Sequence, residues 1–405
     1  MCPKLKFAVI KETKKPHDKR VIFTPEIALE FTKKFPYADL VIQPCDLRCY
    51  KNEEYLKLGL KMQEDISDCD ILMGIKEVST GYLIPDKQYH FFSHTHKFQE
   101  YNRNLLKKMI ELNITMVDHE LLTYKNGTRV VAFGRWAGIV GAYNAMYVQG
   151  LKSKKFKLKR AKDCFDYNEV LREIKKVSIP DNFKIIITGK GRVGQGAIEL
   201  LKPLKLKDVS PYEFLNQNFS EPVVCQIDVE DYVLHKDGIN FNFNDFITNP
   251  NNYKSDFKKY SKHADMWIAC HFWDPKSPVF LTDEDYNDSD FKTNLIADIS
   301  CDIAAPIPST IRASTIDHPI YGYCKKTGKE TLPLEENSVT VMAVDNLPGE
   351  LPRDSSFDFG HIFINNVIPN ITNEDKEDII KRATICKDEK LTGAFEYLTD
   401  FVRGK

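Results

Sequence analysis

The chain predicts an α/β protein made of two doubly wound, Rossmann-like domains whose parallel sheets flank an interdomain cleft. Three observations carry that expectation. The first 150 residues alternate strand-like and helix-like segments, a glycine fingerprint lies near residue 190 of 405, and three further apolar strands, DMWIAC, NLIADIS and VTVMAVD, follow it. Alternating β and α segments imply a parallel sheet with helices on both faces.

In chain order, KFAVIKE reads as the opening strand, a helix begins near Pro25, and DLVIQP is the next strand. After another helix come ILMGIKE, HFFSH, a helix from about Tyr101 to Leu112, and ITMVDHE. Trp136 to Leu151, rich in small residues, reads as a long helix crossing between domains. The lysine-rich stretch Lys152 to Ser178 reads as a solvated surface helix, and Pro211 to His263, rich in Asn, Asp, Phe and Tyr, reads as a second interruption. About fifty residues follow VTVMAVDNLPGELPRDSS, too few for a third domain, so the tail is expected to return to the first one. The resulting division is 1–140 plus 350–405 for one domain and 141–349 for the other. Two domains linked twice form a cleft, where open parallel sheets bind ligands at the carboxyl ends of their strands.

The fingerprint is FKIIITGKGRVGQGAIELL, residues 183–201. Ile185 to Ile187 are β-branched without alternation, as in a strand buried on both faces. Gly189, Gly191 and Gly194 stand in G-x-G-x-x-G register, and a helical pattern resumes at Ala197. Strand, glycine turn and helix in that order bring backbone N–H groups to a pyrophosphate, which points to a dinucleotide. A carboxylate normally follows the second strand, about 20 residues on, to hold the ribose of NAD. The expected second strand, Lys207 to Val209, instead runs into Ser210 and Pro211, with Asp208 and Glu213 off register. A serine leaves room for a 2′-phosphate, so the cofactor is read as NAD or NADP.

Bulk properties narrow the class. Hydrophobic residues are 42% and charged residues 28%, as in a soluble globular enzyme, and a net charge of -1 gives no electrostatic case for nucleic acid or an anionic membrane. No apolar run approaches the roughly 18 residues of a membrane span, and MCPKLKFAVIKE is strand-like rather than signal-like. The ten cysteines are scattered without a C-x-x-C pair, which fits a reducing, cytoplasmic setting. Cys45 and Cys49 lack further ligands, so no metal is expected.

Ionisable residues gather at the strand ends of the first half: Lys76 and Glu77, His94, His96 and Lys97, Glu120, and Arg20 after the first strand. Polar groups converging from separate strand ends are what a small-molecule site requires.

KETKKPHDKRVIFTP, GIKEV, FFSHTHKFQ, RVVAFGRWAG, TGKGRVGQGAIELL, ADISCD and VDNLPGELPRDSS, in this order, resemble the lysine-forming saccharopine dehydrogenase and lysine-ketoglutarate reductase family, related to alanine dehydrogenase and the nucleotide-binding subunit of transhydrogenase. The resemblance implies a catalytic domain that comes first and holds the dinucleotide domain as an insertion. It implies interconversion of saccharopine with lysine and 2-oxoglutarate through an imine that exchanges hydride with a nicotinamide. Lys76 and His94 then match an acid/base pair, Lys76 for the amine nitrogen and His94 for the carbinolamine and water steps. Histidine suits that task unadjusted, whereas Lys76 needs burial or cationic neighbours to titrate near neutrality. Arg20 and Arg129 match substrate-binding arginines, Gln99 and Asp302 further substrate contacts, and Glu77 and Glu120 acids that hold the ammonium or tune Lys76. Gly191, Arg192, Ile299 and the turn Val344, Asp345, Asn346 and Leu347 match dinucleotide contacts.

Two other readings remain. An alanine dehydrogenase shares the Arg, Lys and His arrangement, but its histidine is followed by a leucine-alanine pair, where this chain has Thr95-His96-Lys97. A non-catalytic dinucleotide-binding protein would usually have lost Lys76 and His94. The partners expected are an amino acid and a 2-oxo acid, with neither nucleic acid nor membrane, and no residue pattern selects an oligomeric state.

Overall fold

The computed structural model describes residues 4–404. They fall into two compact units, one of the residues up to Phe133 together with those from Pro352 onward, the other of Gly134–Leu351.

The first unit opens with β1 (Leu5–Val9), the helix Pro25–Lys34, β2 (Ala38–Ile42), β3 (Ile71–Lys76), β4 (Gln88–Phe92), the helix Arg103–Glu111 and β5 (Thr115–Asp118). These strands are parallel in the order β2-β1-β3-β4-β5. Local chemistry sets the boundaries. Thr24 caps the first helix by accepting from Ile27 N, Pro25 fills its first turn, and Lys33 and Lys34 sit at its negative end.

The second unit begins with the helix Gly134–Ser153 and continues through β6 (Lys184–Thr188), the helix Arg192–Leu201, β7 (Lys207–Asp208), β8 (Val223–Ile227) and an antiparallel ribbon of β9 (Val233–His235) and β10 (Tyr253–Ser255). It ends with β11 (Met266–Ala269), β12 (Leu295–Asp298), β13 (Ile320–Cys324), β14 (Glu330–Thr331) and β15 (Ser338–Met342), in the sheet order β14-β13-β15-β12-β11-β6-β8-β7. The small residues of the first helix have a packing reason: a Cβ on Gly138 would lie 1.9 Å from Val193 O, and one on Gly196 would lie 2.1 Å from Arg135 O. Only glycine lets these two helices approach so closely.

The chain then returns to the first unit with the helix Pro352–Asn366, β16 (Thr384–Lys387) and β17 (Lys390–Leu391). The helix presses so tightly on the first unit that a Cβ on Gly360 would lie 2.6 Å from Ile22 O.

The sheets are parallel-dominated, as expected, with antiparallel pairs where β16 meets β5 and β13 meets β15. Two expectations need correction. The strand beside the fingerprint strand is β8 and not β7, which lies at the exposed edge. The run Val223-Val224-Cys225 suits burial on both faces, whereas Lys207 and Asp208 suit only an edge. The stretch 211–263 is therefore no mere interruption. Finally, the lysine-rich stretch is not one helix: Lys152 and Ser153 end the helix Gly134–Ser153, and a separate short α-helix spans Tyr167–Ile174. Among the described residues no helix is long and apolar enough to cross a membrane.

The first unit buries two histidines completely. His119 lies 5.2 Å from the rings of Phe92 and Phe363, 5.5 Å from Phe359 and 6.3 Å from His90. Burial pushes His90 well below the usual histidine range and His119 down to about 3. In the unfolded chain both titrate near 6.5, so below that pH the unfolded state binds more protons and stability falls as pH falls. Each histidine is expected to contribute a slope of about 1.4 kcal/mol per pH unit between its two pKa values. Urea unfolding of parent and His119→Phe between pH 7 and 4 checks this, and an equally steep decline in the variant would contradict it.

Candidate active site

The carboxyl ends of β1, β3, β4 and β5 carry a cluster of charged groups. After β1 the chain bends through Asp18 to Arg20, both almost fully buried. Asp18 grips the guanidinium in bidentate fashion, accepting from Arg20 Nε at 3.0 Å and from Nη2 at 2.6 Å. Burial works to raise the Asp18 carboxyl, but the charge and hydrogen bonds of Arg20 outweigh it and hold the group well below the usual carboxylate range. The guanidinium also lies 4.2 Å over the Phe133 ring, which stacks on Phe359 of the returning helix at 4.6 Å. Ser356 of the same helix accepts from Val21 N at 2.9 Å. The tail of the chain thereby fixes the segment that carries Arg20.

Lys76 ends β3. Burial, then the adjacent Arg20 charge, brings its ammonium down to about 8, with Lys14 adding to the effect and Asp18 and Glu77 opposing it. Both conditions that a proton-transferring lysine needs are thus supplied locally. Glu77 pairs through Oε1 with Lys14 Nζ at 2.5 Å, while its Oε2 lies 3.9 Å from His94 Nδ1. Those two buried atoms have no hydrogen-bond partner among the described residues. His94 takes a left-handed backbone, φ 54 and ψ 13, and its ring stacks on Phe92 at 6.3 Å. A histidine there is uncommon, and such conformations gather at functional sites. Burial and the Lys76 charge pull His94 down to about 4, so it is a neutral imidazole at neutral pH.

One strand over, Asp118 accepts from Ser93 N at 3.0 Å and from Glu120 N at 2.7 Å. His96 stands between Asp118, at 3.7 Å, and Glu120, at 3.6 Å. Lys97 Nζ donates to Glu120 Oε1 at 2.6 Å, and Arg129 donates to the same oxygen. The resemblance implies that Glu120 holds the ammonium or tunes Lys76 and that Arg129 binds substrate; in this structure the two bond to each other. Gln99 accepts from the Tyr101 hydroxyl at 2.6 Å, and that ring lies under Lys14 at 5.6 Å.

Sequence reasoning missed Asp18 and Glu12. Glu12 is buried, accepts from Ile75 N at 2.7 Å and Lys76 N at 2.9 Å, and is pushed by burial up to about 7. Its signal was its place at the end of the first strand, the criterion that selected Lys76 and Glu77.

The second unit holds the glycine cradle. Gly189 has φ +93, and a Cβ there would lie 2.8 Å from Cys270 O. A Cβ on Gly194 would lie 2.0 Å from Gly189 O, so the helix seats directly on the turn. At Gly191, the N-cap, an added Cβ would meet nothing within 4 Å. Tight turn, open face and close helix are the three features that a pyrophosphate requires, and the residues fit a bound dinucleotide. Arg192 is the first residue of the helix.

The carboxylate missing after β7 follows β8 instead. Ile227 pairs with Thr188, the residue before Gly189, and Asp228 comes next, half-buried, with Oδ1 accepting from Val229 N at 3.0 Å. Ser210 caps a different helix, sharing its bonds with Glu213. Ile299, Val344 and Leu347 are packed into the unit's core, while Asp345 is exposed and Asn346 half-buried. Asp302 also lies in this unit, raised to about 6 by burial and then by the Asp298 charge.

The buried pair gives a direct test. Asp18→Asn leaves a buried guanidinium opposite a neutral amide and is expected to cost about 3 kcal/mol of stability in urea unfolding. A loss under about 1 kcal/mol would show that the pair is not the anchor of this segment.

Residues 8–140 match the model of the alanine dehydrogenase/PNT N-terminal domain. Over 89% of its length the chain is 29% identical to an alpha-aminoadipic semialdehyde synthase of Arabidopsis thaliana, of which it spans 38%. A saccharopine dehydrogenase [NAD(+), L-lysine-forming] of Schizosaccharomyces pombe is 26% identical over 87% of the chain and 90% of its own length. In fold the chain is similar to a solved L-alanine dehydrogenase, with a TM-score of 0.65 at 13% identity over 98% of this chain and 99% of that one. Over most of its length the chain is similar to lysine-forming saccharopine dehydrogenases, and its residues 8–140 match the alanine dehydrogenase/PNT N-terminal domain.

Proposed function

We propose that the chain is a dinucleotide-dependent dehydrogenase that interconverts saccharopine with L-lysine and 2-oxoglutarate and prefers NAD to NADP. The observation that carries this reading is a lysine brought down to about 8 close to a neutral histidine, the two standing at the ends of neighbouring parallel strands. A proton-transfer group works best with a pKa near the operating pH, which Lys76 meets. His94, brought down to about 4, is not the unadjusted histidine the sequence suggested and is a weaker base held in its proton-accepting form. When bound, the nicotinamide dinucleotide accepts or supplies the hydride.

In the direction of lysine formation, saccharopine loses a hydride from the glutaryl carbon attached to nitrogen, water adds to the resulting imine, and cleavage of that C–N bond releases lysine and 2-oxoglutarate. Lys76 takes the proton from the secondary amine and later returns one to the departing amino group. His94 takes the proton of the attacking water, and Glu77 Oε2, 3.9 Å from Nδ1, stabilises the imidazolium as it forms. Arg20, oriented by Asp18, binds a substrate carboxylate. Arg129 is exposed and exchanges Glu120 for a second carboxylate. Asp228 supports NAD because a carboxylate accepts hydrogen bonds from the adenosine ribose and repels a 2′-phosphate.

The first experiment follows NADH and NADPH absorbance with lysine plus 2-oxoglutarate against ammonia plus pyruvate. Oxidation that requires both lysine and 2-oxoglutarate is expected. Turnover only with ammonia and pyruvate would favour the alanine dehydrogenase reading, which the match of residues 8–140 supports, and silence with bound dinucleotide would favour a non-catalytic binder. Lys76→Met is expected to abolish turnover and leave dinucleotide binding intact, and surviving turnover would refute the mechanism.

Asp228→Ser is expected to weaken NADH binding about tenfold, corresponding to about 1.4 kcal/mol, and to narrow the preference over NADPH. Calorimetric titration of both nucleotides checks this, and unchanged affinities would remove Asp228 from the site.

A further inference from the structure

β1 pairs with β3 only as far as Val9 and Met73, after which Ile10 N closes on Met73 O. The next N–H groups of β3 need acceptors from elsewhere. Glu12 provides them, with Oε1 2.7 Å from Ile75 N and Oε2 2.9 Å from Lys76 N. One side-chain carboxylate thus stands in for a length of strand. The pairing of β3 with β4 is irregular over the same residues, with a register shift between Met73 and Lys76.

Gly74 makes room for this arrangement. A Cβ there would lie 3.1 Å from Ile10 Cδ1 and Cγ1 and 3.3 Å from Glu12 Oε1. The glycine is therefore explained by its neighbours, not by an unusual backbone. A buried carboxylate is an expensive acceptor for neutral amides, since water is lost from a charge. A continuing strand would have satisfied the same N–H groups with carbonyls. The acid is used where the residue it holds is Lys76, whose surroundings are Lys14, Asp18 and Arg20 from the segment after β1, Glu77 from the end of β3, and His94 after β4.

We propose that Glu12 is a positioning residue for Lys76, clamping the lysine's backbone at the end of β3 so that its ammonium is held within this cluster. The inference rests on the reading of Lys76 as the proton-transferring group, but its test does not depend on turnover. Two variants perturb the clamp differently: Glu12→Gln removes the charge and one acceptor, and Gly74→Ala keeps the acid but crowds it.

The primary readout is the pH dependence of Lys76 modification by an amine-selective acylating reagent, followed by mass spectrometry of its peptide. The parent midpoint is expected near 8. In both variants it is expected to rise by about one pH unit or more, because a lysine released toward water returns toward its ordinary value. With lysine and 2-oxoglutarate, kcat is expected to fall about tenfold or more, its pH limb moving with the labelling midpoint, while the KM for dinucleotide stays unchanged. A lowered melting temperature with an unmoved midpoint and pH profile would mean that Glu12 merely satisfies the strand, and the proposal would be wrong. If Glu12→Gln fails to fold, Gly74→Ala decides. A shifted midpoint in a protein that turns over neither substrate pair would support the clamp and count against the proposed reaction.

Discussion

Buried charge organises the active end of the first unit. Asp18 and Arg20 are both withdrawn from water, and each compensates the charge of the other. The consequences propagate along the strand ends. Arg20 helps bring Lys76 down, Lys76 helps bring His94 down, and Glu77, held by Lys14, leaves one oxygen facing His94. A second set is arranged around Glu120, which Lys97 and Arg129 share and which His96 approaches from the side of Asp118.

The second unit is organised by close backbone approach. Gly189, Gly194, Gly138 and Gly196 each occupy a place where a Cβ would lie within 3 Å of main-chain atoms, and together they seat the fingerprint turn and its two helices. Gly191 is the exception, open on the side a ligand would take. The same residue type thus serves packing at four positions and access at one.

The α/β class was legible because unalternated β-branched runs such as Ile185 to Ile187 and strand-ending charges such as Lys76 and Glu77 follow from two-sided burial of a parallel sheet. Much of the candidate site was legible on the same logic, since parallel strands deliver their carboxyl ends to one edge. What escaped was pairing. Asp228 went unnoticed because a two-residue edge strand comes before β8 in sequence but lies outside it in space. The mutual bond of Glu120 and Arg129 and the clamp of Asp18 on Arg20 leave no periodic trace, because they depend on which loops meet.

By itself the sequence determined the residue types at the strand ends, the glycine turn and the order of the elements, because these are written in local periodicity and in steric limits that act within a few residues. Only the tertiary structure decided that β8 rather than β7 adjoins the fingerprint strand, that the tail helix backs the Arg20 segment, and that Glu12 reaches across to Lys76. Those outcomes depend on contacts between residues far apart in the chain, where burial and charge compensation, which have no local signature, set the balance.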